Sequence, residues 1–302
     1  PGRNMMRTAT ALVMASISLL SAARAEQAEI IVRHLNIRYA APPRLIDARL
    51  LSLDIYAPQG AKDLPVMIYI HGGGWRIGDK RAIHQKADYF TARGFVLVSI
   101  NYRLVPAVDI LTQLQDSANA IGWVHRNISD YGGHPEQLHL IGHSAGAHHV
   151  AVLATNARFL KQAGVELSHL KSVIELDTLV LDAVALMRGN TNRMYTQAFG
   201  DQADVWREIS PLHHVARGTG IPPFLLVVAN ERGPKLQQAS AFQKALQAAG
   251  VRCDFIDAAE HDHGSLNRQI GAPGDRVTRL MGQFHDSVRT TPMPPDSEGI
   301  AM

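Results

Sequence analysis

The sequence predicts an α/β protein, a mostly parallel eight-stranded sheet flanked by helices. Three observations carry that expectation. Short apolar runs recur along the chain as buried strands, helical stretches separate them at short intervals, and no Pro/Gly/Ser-rich linker splits the 302 residues. With 46% of those residues hydrophobic, the chain can bury one large core.

The elements follow in order. Ile30 to Tyr39 and Arg49 to Tyr56 read as antiparallel opening strands. Pro65 to Ile70 is a buried-strand run that ends in His71, Gly72, Gly73, Gly74 and Trp75. Another strand ends before Asn101, Tyr102 and Arg103, and Asp116 falls in the next helix. After the Tyr131, Gly132, Gly133 turn, Leu138 to Ile141 leads into Gly142, His143, Ser144, Ala145 and Gly146, and Ala147 to Leu160 reads as a helix. Ser172 to Leu176, Pro223 to Ala229 and Arg252 to Ala258 complete the strands. Between Asp182 and Gly218 the periodicity weakens. Residues 182–218, with Met187, Met194, Tyr195, Phe199 and Trp206, are expected either to cover the site and shape its pocket or to be plain surface helix. The tail from Thr291 to Met302, with its prolines, is expected to be disordered.

Two of these junctions carry chemistry. A Gly-x-Ser-x-Gly run between an apolar strand and a helix projects a serine hydroxyl above a sheet, on a turn strained enough to need its glycines. An ordinary strand-to-helix turn is the alternative, and it is weakened by the second junction. Three glycines at the end of the Pro65 to Ile70 strand let backbone N–H groups approach a substrate, which acyl transfer needs because charge develops on the carbonyl oxygen. The expected donors are Gly73, Gly74 and Ala145, with Trp75 beside them as a substrate contact. A phosphate nest is the competing reading, but the Lys-Ser/Thr ending of a nucleotide loop is missing.

With both motifs in this order, the chain resembles α/β-hydrolases of the esterase/lipase type, a group that includes hormone-sensitive-lipase-like carboxylesterases, feruloyl and acetyl esterases and kynurenine formamidase. The resemblance covers nearly all of the chain past its N-terminal stretch and extends to Asn101, Tyr102, Arg103, Asp116 and Trp123. Gly142 to His148, reading GHSAGAH, is most like the formamidase and small-esterase branches. It implies Ser144 as nucleophile, followed along the chain by an acid and then a histidine.

Fifteen histidines compete for the role of base. The base must come over the sheet from the loop after the last strand, where Glu260, His261, Asp262, His263 and Gly264 lie. The resemblance favours His263, with His261 second. A metal pair in this run is weakly supported, and His148 and His149 read as packed or capping residues. The acid departs from the family pattern, since the usual aspartate past the Pro223 to Ala229 strand falls near Arg232 and Gly233. Glu231 is the nearest carboxylate and the first choice; Asp177, after the Ser172 to Leu176 strand, is the alternative, and Asp177 or Asp182 could instead brace the pocket.

The N-terminus is a separate object. Met5, Met6 and Arg7 open a positive region, Thr8 to Ala23 holds no charge, and Ala23, Arg24, Ala25 places small residues at signal-peptidase positions. Residues 1–25 are thus expected to be a secretory signal, with Pro1 to Asn4 upstream of it, and 26–302 a single domain. The apolar run is too short to span a bilayer, so no stable membrane insertion is expected after cleavage. Arg3, Arg7 and Arg24 supply the whole net charge of +3, so the basic excess is no case for nucleic acid. The single cysteine, Cys253, reads as a buried strand residue. The sum is a periplasmic or secreted serine carboxylic-ester hydrolase that needs no cofactor or metal. An arylformamidase-type amide hydrolase and a non-catalytic binding protein on the same fold are the other readings.

Overall fold

The computed structural model describes residues 30–42, 47–230 and 233–290. The expected signal, the tail and Glu231 lie outside them. Eight strands form one sheet in the order β1 (Ile31–Arg38), β2 (Ser52–Pro58), β4 (Val96–Ile100), β3 (Leu64–Ile70), β5 (Gly133–His143), β6 (Leu170–Leu176), β7 (Phe224–Ala229) and β8 (Cys253–Ala258). Only β2 runs against its neighbours; the pairs from β4 through β8 are parallel. Continuous apolar runs suit such strands because both faces are covered. Val66, Ile68 and Ile70 of β3 pack toward α2 (Ile110–Asn127), α3 (Ala145–Thr155) and α8 (Gly233–Ala248), with Leu114, Val150 and Phe242 among the partners. Met67 and Tyr69 face Phe90 of α1 (Lys86–Ala92), Leu266 of α9 (His263–Gln269), and Met281 and Phe284 of α10 (Arg276–Thr290).

Register brings the functional loops together. Ile70 pairs with Gly142, His143 with Leu176, Leu176 with Val227, and Ala229 with Ala258. The carboxyl ends of β3, β5, β6, β7 and β8 therefore reach one edge, where open α/β sheets place their sites.

Two local expectations are corrected. Arg49 to Leu51 form a 3₁₀ turn and the strand begins at Ser52, because the Asp47 carboxylate accepts the Arg49 N–H at 2.9 Å and caps the turn. The helix read as Ala147 to Leu160 is two, α3 and α4 (Ala157–Gln162), and it starts two residues earlier. Asn156 adopts extended backbone between them, its side chain accepting from Arg158 N and donating to Glu208 Oε1 at 2.9 Å. An Asn that caps competes with helix continuation. Residues 183–208 form α5 (Ala183–Met187), α6 (Arg193–Phe199) and α7 (Ala203–Glu208). Every residue of α3 is buried, packed against β3, β5, β6, α2 and the 211–214 turn. Among the described residues no helix is long and apolar enough to cross a membrane.

Buried histidines make stability depend on pH. Burial holds the imidazoles of His139, His143, His148, His149 and His285 below their usual range, His143 and His285 at about 3 and His148 at about 4. Folded protein keeps them neutral while unfolded chain protonates near 6.5. Stability is thus full above that value and lost as pH falls from 6.5 toward 3, by up to about 1.4 kcal/mol per histidine per pH unit. Urea midpoints should fall between pH 7.5 and 5. His285, with neither ring nitrogen hydrogen-bonded and packed against Phe90, Phe95 and Phe284, is the cleanest test. His285→Leu should flatten that fall, and a midpoint that does not move with pH in the wild type would contradict the assignment.

Candidate active site

Ser144 sits between β5 and α3 at φ 56° and ψ −117°, a conformation an L-residue holds only where its surroundings impose it. Its N–H donates to Leu176 O at 2.9 Å, and its carbonyl accepts from His148 N at 3.1 Å. The flanking glycines serve close approach. A Cβ on Gly142 would strike the Gly146 carbonyl, and one on Gly146 the Ile70 carbonyl.

His263 opens α9. Asp262 caps this helix, accepting Ser265 N at 2.6 Å, while Asp262 N donates to Ser265 Oγ at 2.9 Å. His263 Nε2 lies 3.0 Å from Ser144 Oγ, and Nδ1 lies 2.6 Å from Asp177 Oδ2. A buried carboxylate can only accept, so the proton sits on Nδ1 and Nε2 is left to accept the serine O–H. His143, the residue before the serine, donates Nε2–H to the His263 carbonyl at 2.8 Å and packs against its ring.

Asp177 follows β6 at φ 61°, its N–H bonded to Val227 O at 2.8 Å. Its side chain is fully buried, with Oδ1 accepting Ala229 N at 2.9 Å and Oδ2 accepting both His263 Nδ1 and Lys235 Nζ, the latter at 2.8 Å. Burial alone would raise this carboxyl, but bonds from His263, Lys235 and Ala229 outweigh it and hold it at about 2. Of the two carboxylates named from the sequence, Asp177 bonds the imidazole, and Glu231 lies outside the described residues. Asp182 instead caps α5, accepting Ala185 N at 2.9 Å. His261, the second choice as base, pairs with Asp275 at 2.7 Å.

The glycine loop is held from both sides. Gly73, Gly74 and Trp75 have φ of 130°, 57° and 64°. A Cβ on Gly73 would strike the Ile77 carbonyl, and one on Gly72 would stand 3.0 Å from Ser144 Cβ, so the loop lies against the serine. His71 donates Nδ1–H to Gly72 O at 2.8 Å, and its ring stacks on Tyr102, whose hydroxyl donates to His71 O. Beyond the glycines, a buried Lys80–Asp54 ion pair at 2.6 Å and a Lys80 N bond to Asn101 Oδ1 anchor the loop to β2 and to the end of β4. Ala145, at the first position of α3, has an N–H with no intrahelical partner.

Trp75 corrects an expectation. It is 3% exposed, its ring packed on His148, Tyr195 and Phe199 and its carbonyl accepting Gln113 Nε2 at 2.8 Å. The indole fastens α6 to the glycine loop and is covered by that helix. Met194 of α6 lies over Gly74, where a Cβ would stand 3.0 Å from its Sδ.

Sequence reasoning missed the polar struts. Lys86, wholly buried, donates to Asn267 O of α9 at 2.7 Å and lies over the Tyr69 ring, whose hydroxyl donates to Asn267 Oδ1. Lys235 and His143 were missed too, and only an ionisable residue inside an apolar pattern could have signalled them. Among the described residues no group of three or more His, Cys, Asp or Glu is placed to hold a metal ion. Cys253 is buried, which pushes its thiol up to about 12.

The BD-FAE family model matches residues 53–246 of this chain. Kynurenine formamidase of Danio rerio is 26% identical over 243 residues, 76% of each chain. Esterase LipQ of Mycobacterium tuberculosis is 30% identical over 199 residues, 62% of this chain and 47% of LipQ, so the chain spans less than half of that relative. Among solved structures, a truncated carbohydrate esterase from gut microbiota superposes with a TM-score of 0.72 at 21% identity, covering 88% of this chain and 99% of that one.

The packing of Trp75 sets an expectation. Trp75→Ala should cost about 3–5 kcal/mol in urea unfolding, with Trp75→Phe recovering most of it. A raised KM at unchanged stability would return Trp75 to the role of substrate contact.

Proposed function

Because the chain belongs to the BD-FAE family and is an α/β-hydrolase of the carboxylesterase type, we propose that Ser144, His263 and Asp177 are its catalytic triad and act through a covalent acyl-enzyme. The unbroken hydrogen-bond chain, Ser144 Oγ to His263 Nε2 at 3.0 Å and His263 Nδ1 to Asp177 Oδ2 at 2.6 Å, is the observation that carries this reading.

In the first half, Ser144 Oγ attacks the ester carbonyl carbon while its proton passes to His263 Nε2. Asp177 accepts the Nδ1–H throughout and offsets the charge on the imidazolium. The developing oxyanion takes N–H donors from Gly73, Gly74 and Ala145, each worth about 3 kcal/mol in the transition state. The C–O bond to the alcohol breaks as His263 returns its proton to the leaving oxygen. In the second half, water attacks the acyl-enzyme with His263 as base, and the acid leaves with Ser144 restored. No step calls on a cofactor.

We place the reaction outside the cytoplasm on the strength of the signal-like residues 1–25, and read 26–302 as one domain whose helices α5 to α7 shape the pocket. Small esters are the substrate class. A formamide is the second reading, favoured by the similarity to the Danio rerio kynurenine formamidase. Loss of catalysis on a retained fold is disfavoured by the intact hydrogen-bond chain.

Two experiments test this. Ser144→Ala should abolish fluorophosphonate labelling, and Asp177→Asn should lower kcat by roughly 10⁴ while Glu231→Gln stays near wild type; the reverse pattern would make Glu231 the acid. A p-nitrophenyl ester chain-length series run beside N-formylkynurenine and a feruloyl ester should show turnover of short esters. Activity confined to the formamide would overturn the ester reading.

A further inference from the structure

Asp177 Oδ2 is shared. It accepts His263 Nδ1–H at 2.6 Å and, at 2.8 Å, the Nζ of Lys235 from the first turn of α8. The lysine side chain is 14% exposed, so this cation is largely removed from water. The second carboxylate oxygen is occupied by Ala229 N, which fixes the carboxylate plane.

We propose that Lys235 is a positioning residue for the acid–base pair: by sharing Oδ2 with His263 it holds the carboxylate in place and limits how strongly Asp177 favours a protonated imidazole. The proposal rests on the reading of Ser144, His263 and Asp177 as the triad. A lone Asp177 carboxylate would form a neutral pair with a protonated His263, and that pairing would keep the histidine charged, and idle as a base, up to higher pH. With Lys235 on the same oxygen, part of the carboxylate's charge is already offset, and a proton on His263 gains less from Asp177 than it would from the lone carboxylate. The base thus stays free at lower pH, at the expense of some attraction to the imidazolium formed during turnover.

Among the described residues, the neighbouring groups leave this balance in place. Glu175 of β6 is wholly buried, which raises its carboxyl to about 8, and the His143 ring of β5 is held at about 3, so both are neutral between those values. Tyr195 of α6 faces Lys235 with its hydroxyl pushed above the usual range by burial. Asp262 at the start of α9 is exposed and engaged with Ser265. Lys86 of α1, lowered to about 7 by burial, titrates within the working range and acts on His143. Its contribution is common to the proteins compared and cancels in their difference.

The test is the pH profile of kcat/KM for a short p-nitrophenyl ester in wild type, Lys235→Met, Lys235→Gln and Lys235→Arg, each normalised to sites titrated with a fluorophosphonate. Asp177→Asn is measured beside them. Either uncharged variant that folds should move the acid limb up by about one pH unit, with KM little changed, and Lys235→Arg should return it toward wild type. An acid limb that stays in place without the cation, or one that Lys235→Arg shifts as far as Lys235→Met does, overturns the proposal. If Asp177→Asn keeps wild-type turnover, the triad reading falls and the proposal with it. If Asp177→Asn is inactive while the limb stays in place, only the role of Lys235 is lost.

Discussion

One buried negative charge organises this molecule. The Asp177 carboxylate has left water completely, and an unpaired ion there would be too costly to keep. Its backbone N–H binds β7, Oδ1 binds the last residue of β7, and Oδ2 binds α8 through Lys235 and α9 through His263. Satisfying one side chain therefore fixes four elements relative to one another. The imidazole tautomer follows from the same constraint, since an ionised carboxylate demands a donor.

Other buried polar groups brace the loops around that charge. Lys80 and Asp54 anchor the end of the glycine loop, Lys86 and Tyr69 hold Asn267 of α9, and His143 holds the His263 carbonyl. Buried ions and amines of this kind add little net stability against an apolar alternative. What they supply is position: they tie the segments that carry the glycine loop and His263 to β2, β3, β5 and α1. Trp75 does the same by packing, joining α6 to the oxyanion loop.

Much of this was legible in the sequence, for physical reasons. The strands announce themselves because both sheet faces are covered. The elbow and the glycine loop are largely local: steric limits at Gly142 and Gly73 act over a few residues and leave a mark in those residues, whereas Gly146 is required by the Ile70 carbonyl on the neighbouring strand. The Asp177–His263 contact was harder to read, because it depends on the register that sets Leu176 beside Val227 and on the positive φ of Asp177. Neither can be read from the residue itself. Trp75 misled for a similar reason. An aromatic beside the oxyanion glycines suggests a substrate wall until His148 and Phe199, far along the chain, close over it. The break at Asn156 was legible only as a capping residue inside an otherwise helical run.

The bond between His263 and Asp177 is the central contact, and proton NMR observes it directly. Wild-type protein should show a far-downfield resonance from the His263 Nδ1 proton that persists in Glu231→Gln and disappears in Asp177→Asn. A resonance that survives Asp177→Asn and is lost in Glu231→Gln would contradict the assignment of the buried carboxylate.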